Sequence, residues 1–178
     1  RIPPSDRNRL RDFHPVLAQI LYNRGYSDPV DALRFLTGEM PDHNPFHLPD
    51  MNRAVARIRQ AIRAEEPIAV YGDFDTDGVT ATALLVQALR ALNAVVEPYI
   101  PHREEDGYGL NSSALMQMAQ DGFRLVITVD CGIRSMQEVL DASAVGLDLI
   151  ITDHHSVGVD LPDALAVVNP KRADNKYP

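Results

Sequence analysis

Scarcity sets the first limits on this 178-residue chain. Tryptophan is missing, and the single cysteine, Cys131, has no partner for an intrachain disulfide. A lone thiol is compatible with a reducing compartment, so cytoplasm is the expected location. No apolar run approaches the ~20 residues of a membrane helix, and no signal peptide is visible, so no membrane association is expected. Basic residues are outnumbered, 17 against 25 acidic, for a formal charge of −8. That balance excludes a general polyanion-binding surface. It leaves room for a nucleic-acid enzyme, because bound divalent ions invert the field of a carboxylate cluster. An initiator methionine is also lacking: the chain runs from Arg1 to Asn175-Lys176-Tyr177-Pro178 and reads as a piece of something longer.

What is present suffices for one substantial core, since 45% of residues are hydrophobic and 24% charged, an ordinary globular balance. Residues 1–66 are expected to form a helical leader without chemistry. His14-Pro15 introduces a periodic stretch ending near Gly25, and Asp28-Pro29 offers a cap followed by proline at the first helical position. Gly38, Pro41, Pro45 and Pro49 mark a loop. Asp50 is then expected to cap a helix with Val55, Ile58 and Ile62 on one face, leaving Arg53, Arg57, Arg59 and Arg63 solvated.

From residue 67 to 178 the pattern alternates. Strands are expected at 68–74, 95–100, 125–130, 148–152 and 166–168, with helices at about 80–92, 112–120 and 135–143. Nearly unbroken apolar strands separated by helices imply right-handed βαβ units, and hence an α/β domain whose parallel sheet has helices on both faces. No internal repeat or low-complexity segment interrupts it.

Chemistry gathers where these strands run out. Asp73-Phe74-Asp75-Thr76-Asp77-Gly78 follows Ile68-Ala69-Val70-Tyr71, Asp130 follows Leu125-Val126-Ile127-Thr128-Val129, and Asp153-His154-His155 follows Leu149-Ile150-Ile151-Thr152. In an open parallel sheet, ligands bind outside the carboxyl ends of the strands. So many like charges in one crevice are costly unless a cation neutralises them. The simplest reading is a site for two divalent ions, with Asp73, Asp75, Asp77 and Asp130 as candidate carboxylate ligands, one or two imidazoles from His154 and His155 beside them, and Asp130 as the candidate bridge. Oxygen ligands with one or two imidazoles favour Mn²⁺ or Mg²⁺ over structural zinc. Two such ions activate water for attack on a phosphorus centre.

Other readings fit less well. An EF-hand opening at Asp73 needs a glutamate at its twelfth position, which here is Leu84 on an apolar helix face. A phosphoacceptor receiver domain accounts for Asp73 or Asp75 with Asp130, and for Lys171, but gives His154 and His155 no role. Capping explains one aspartate per loop, and Asp77-Gly78 suits a turn entering a helix, but capping does not need three at alternate positions. Cys131 reads as a small buried residue rather than a ligand. His14, His43, His47 and His102 read as surface or packing residues.

These motifs, with Val70-Tyr71-Gly72 ahead of the first and Cys131-Gly132 after Asp130, resemble the DHH phosphoesterase superfamily. Within it the chain is similar to the RecJ-type single-strand-specific 5′→3′ DNA exonucleases, with further likeness at Asn44–Met51, Gly107-Tyr108-Gly109-Leu110 and Val168-Asn169-Pro170-Lys171-Arg172. The resemblance implies two-metal hydrolysis of single-stranded DNA to 5′-mononucleotides, in DNA repair and recombination, with replication and repair proteins as partners. It implies Asp75 and Asp77 as metal ligands with Asp73 close by, Asp130 shared between ions, and His154 on metal. His155 would face the scissile phosphate, and Asp153 would orient the histidine pair. Some relatives have a histidine where this chain has Tyr71. The family's fourth motif and second domain lie outside these residues. His102-Arg103 could touch a DNA phosphate or form a solvated loop. Two alternatives stay open: a relative acting on short oligoribonucleotides, cyclic dinucleotides or pyrophosphate, and an inactive scaffold module.

Overall fold

Proline and short polar side chains open the helices of the first part of the chain. The computed structural model describes residues 1–39, 44–102 and 109–177, and it divides into two compact units, Arg1–His43 and Asn44–Pro178. In the first unit, α1 (Pro4–Arg9), α2 (Pro15–Asn23) and α3 (Pro29–Thr37) each begin at a proline, whose missing N–H costs nothing there. His14 Nδ1 accepts from Val16 N–H, and Asp28 Oδ1 accepts from Val30 and Asp31 N–H, capping α2 and α3. Ile2, Leu10, Ala18, Leu21 and Ala32 make this unit's core. The sequence pattern does not announce α1, because its six residues, PSDRNR, show no apolar period.

The second unit opens with a short 3₁₀ turn at Pro45–His47 and α4 (Met51–Arg63). There follow β1 (Ile68–Gly72), α5 (Thr76–Ala91), β2 (Val96–Tyr99), α6 (Ser112–Gln120), β3 (Leu125–Val129), α7 (Met136–Ala144), β4 (Asp148–Thr152) and β5 (Ala166–Val168). All four strand pairs are parallel, in the order β2-β1-β3-β4-β5. The period of two splits the sheet's side chains between two cores. Ala69, Tyr71, Val126, Leu149 and Ile151 pack with Leu115 and Met118 of α6 and Val139 and Ala142 of α7. Ile68, Val70, Leu125, Ile127 and Ile150 pack with Ala54 and Ala61 of α4 and Val86 and Leu89 of α5. The sheet is therefore covered on both faces, as its apolar strands predicted. No helix among the described residues is long and apolar enough to cross a membrane.

Three local expectations change. Helix α4 packs its Ala54 and Ala61 against the sheet and belongs to the compact unit Asn44–Pro178. Asp50 stands at the N-terminus of α4 in the left-handed region without capping it; its Oδ2 instead accepts from Val167 N–H and Arg172. Arg57 is not solvated but largely buried, bonded to Asp148 and Glu66. Helix α5 starts at Thr76, four residues ahead of the expected start, because Asp75 caps it; Asp77 and Gly78 thus lie within its first turn.

Candidate metal centre

Strand order decides where a crevice forms. From β1 the chain steps outward to β2, then returns across β1 to β3, so the order reverses between β1 and β3. Connections diverge there and leave a cleft at the carboxyl edge, the usual ligand position in such sheets. Gly72, Val129, Thr152 and Val168 lie in one row across the four strands β1, β3, β4 and β5. The residue that follows each strand is Asp73, Asp130, Asp153 and Asn169 respectively. All four are polar and buried, with 3%, 9%, 7% and 0% of their surface exposed, so the sheet ends in a recessed polar row.

Each acid is held by local structure. Strand β1 ends at Gly72, so Asp73 and Asp75 sit beyond the strand rather than on its alternating face. Asp73 Oδ1 accepts from Phe74 N–H at 2.8 Å, and Asp75 Oδ1 accepts from Gly78 N–H at 3.0 Å. Gly78 is required here, since a Cβ would overlap the Asp73 backbone against which the start of α5 rests. Asp130 adopts φ 63°, a conformation that aspartate tolerates better than most residues. Its N–H continues the ladder to Thr152 O at 3.0 Å, and Thr128 and Thr152 hydroxyls donate to Cys131 O and Thr128 O beside it. Cys131 is buried, consistent with packing rather than ligation. Burial pushes its thiol pKa far above the ordinary cysteine range, leaving it protonated.

Asp153 is a hub. Its Oδ1 accepts from His154 N–H at 2.7 Å, His155 N–H at 2.9 Å and His155 Nδ1 at 2.8 Å, while Oδ2 accepts from Ile133 N–H at 3.0 Å. An ionised carboxylate only accepts, so Nδ1 of His155 carries the proton and the Nε2 lone pair lies on the ring's other edge. His154 Nε2 lies 2.8 Å from Asp130 Oδ1, and the two rings are 4.7 Å apart.

Two triads of ligand atoms result, each with all atoms within 4.8 Å of one another: Asp73, Asp75 and Asp130, and Asp130, His154 and His155. Asp130 belongs to both. Asp77 joins neither triad but borders a groove of about 430 Å³ with Asp130, His154, Val129, Val168 and Pro170. His155 borders a separate cavity of about 630 Å³ with Gly132, Arg134 and Ser135. Arg103 lies outside the described residues, as do His43 and Gly107-Tyr108. Sequence reasoning missed Asn169, whose polar burial completes the row, although its place immediately after a strand was a usable signal.

Electrostatics bear on whether cations fit. Among the described residues no lysine or arginine pairs with Asp73, Asp75, Asp77, Asp130 or Asp153. Burial, with Asp75 nearby, raises the Asp130 pKa, and His154 and His155 offset this in part. Buried Asp73 and Asp130 with exposed Asp75, none of them answered by lysine or arginine among the described residues, form beside the imidazoles an oxygen-rich donor set of the kind that divalent cations take. The residues present therefore fit the metals expected from the sequence.

Residues 67–176 match the family described as DHH family, N-terminal domain. The single-stranded-DNA-specific exonuclease RecJ of Bacillus subtilis (strain 168) is 44% identical over 165 residues, which are 92% of this chain and 21% of that protein. A crystal structure of exonuclease RecJ bound to manganese superposes with TM-score 0.66 at 40% identity, over 71% of this chain and 32% of that one. The crystal structure of Thermus thermophilus RecJ in complex with Mn²⁺ gives TM-score 0.68 at 29% identity, over 98% and 25%. The chain thus spans between a fifth and a third of the length of these relatives.

Proposed function

The chain belongs to the DHH family, and from that premise we propose that it supplies the metal-binding half-site of a 5′→3′ exonuclease acting on single-stranded DNA. One observation weighs most: buried carboxylates converge at the switch point of the sheet without a lysine or arginine partner among the described residues. The likeness to RecJ exonucleases, including two solved with manganese, supports the substrate and the ion.

Mn²⁺ or Mg²⁺ held there would supply positive charge for the phosphate and a water acidic enough to attack phosphorus. Asp73, Asp75 and Asp130 would hold one ion, and Asp130 with His154 the other, with Asp77 reaching in from the groove. Asp153 holds the His155 ring from behind through Nδ1, so Nε2 is the nitrogen that would meet a phosphate oxygen. Backbone N–H groups of Ile133, His154 and His155 pre-set the Asp153 carboxylate, and the Asp130 main chain is held by its bond to Thr152 O, while the contact between Asp130 Oδ1 and His154 Nε2 would give way to the ion. Further ligands and the grip on the strand come, in this reading, from residues outside this chain, and the reaction takes place in the cytoplasm alongside DNA.

The test uses the full-length protein with single-stranded DNA labelled at either end, with duplex DNA, and with dinucleotides, in Mn²⁺ or in EDTA. Mononucleotides released from the 5′ end of single strands, in Mn²⁺ only, are expected. A clear preference for dinucleotides would move the assignment to the oligonucleotide-processing relatives, and inactivity with intact Mn²⁺ binding would favour a scaffold.

A further inference from the structure

Three members of the buried polar row are acids used above; the fourth, Asn169, is not. It is the most buried of the four, with 0% of its surface exposed. Its Nδ2 donates to the main-chain oxygen of His155 at 3.0 Å, and its Oδ1 accepts from Lys171 N–H at 2.7 Å. The amide therefore uses its donor end on one partner and its acceptor end on another, and no isosteric side chain reproduces both. Pro170 restricts the Asn169 backbone to extended conformations and so keeps the side chain aimed at the histidine loop.

That loop has no regular structure of its own, and its position rests on side chains from two strand ends. From the end of β4, Asp153 holds the N–H groups of His154 and His155 and the His155 ring. From the end of β5, Asn169 holds the His155 carbonyl. His154 has a separate anchor in Asp130, so the Asn169 contact bears chiefly on His155.

We propose that Asn169 is a positioning residue, clamping the His155 carbonyl from β5 so that the substrate-facing imidazole is held from two strands instead of one. The inference rests on the exonuclease reading, because only there does the placement of His155 matter. Without the donor, a partly buried carbonyl loses its partner and the loop can relax, and displacements of about 1 Å at a reacting group cost on the order of 10²-fold in rate.

Two variants of the full-length protein test this. Asn169→Asp keeps size and the acceptor for Lys171 but has no donor for the carbonyl. Asn169→Ser keeps a small acceptor but cannot reach His155. Both are expected to lower kcat on single-stranded DNA by about 10–100-fold, the usual cost of losing an orienting partner. KM and Mn²⁺ affinity by calorimetry should stay close to wild type, and both variants should remain folded at the assay temperature, with a melting temperature lowered by the loss of one buried hydrogen bond. An unchanged kcat overturns the proposal. So does a kcat that falls only in step with Mn²⁺ affinity or stability, or failure of both variants to fold, each of which makes Asn169 a fold determinant. An inactive wild type sinks the exonuclease reading instead, and an active wild type with equally active Asn169 variants sinks only this inference.

Discussion

The two ends of the same sheet treat their acids in opposite ways. At the amino edge, Asp148 at the start of β4 takes a hydrogen bond from Arg57 at 2.5 Å, and the same guanidinium reaches Glu66 at 2.7 Å. The Arg57 side chain is only 10% exposed, so helix α4 brings a buried cation to neutralise acids at that end. At the carboxyl edge, Asp73, Asp130 and Asp153 are more deeply buried than Asp148, yet among the described residues no lysine or arginine answers them. A protein that pairs its acids with arginine at one edge and not at the other presents, at the second, a cluster of negative charge suited to a dication.

The most severe way to break this contrast is Asp130→Ala, which removes the carboxylate common to both triads. Activity of the full-length protein should fall by more than the roughly 10–100-fold typical of outer contacts. The melting-temperature rise produced by Mn²⁺ should vanish with it, since a ligand stabilises only the state that binds it. A retained thermal shift would show that the triads do not form the site. Asp153→Asn comes next. It removes the ionised acceptor that orients His155, and a loss of about 10–100-fold in kcat is expected with Mn²⁺ binding measurable by calorimetry.

At the opposite edge Arg57→Met should leave Mn²⁺ affinity unchanged and destabilise the fold by about 2 kcal/mol, because Asp148 and Glu66 lose a charge-assisted partner. Urea unfolding reads the stability and calorimetry the affinity; altered affinity would mean the two edges are coupled. The smallest effect concerns pH. Burial raises the Asp130 pKa, so the folded state holds its proton more tightly than the unfolded chain. Ionised Asp130 therefore opposes folding above its folded pKa, and that opposition fades as pH falls through it. In EDTA, Asp130→Asn should melt above wild type at a pH of about 8, and the gap should close on acidification. A variant that melts below wild type under those alkaline conditions would show that the carboxylate is compensated without metal.

Much of this contrast was legible in the residues. Asp73, Asp130 and Asp153 stood out because each follows an apolar strand, and the end of a strand is a local signal. Local signals also misled. Asp50 looked like a cap because it precedes a helix, but its carboxylate turned to Val167 N–H and Arg172, residues more than a hundred positions away. Arg57 looked solvated because its neighbours are arginines, and its partner Asp148 lies 91 residues on. Asn169 carries no charge, so its place after a strand was its one signal, although it is more buried than the acids beside it.

By itself the amino-acid order determined the kinds of element, their succession, and the acids and imidazoles at the strand ends, because side-chain periodicity and chain punctuation act over a few residues. Only the tertiary structure decided that β1 lies beside β3, that Asp130 is shared by two triads, and that Asn169 reaches the histidine loop. Those adjacencies depend on which helix covers which face, and that choice is made by burial summed over the whole sheet.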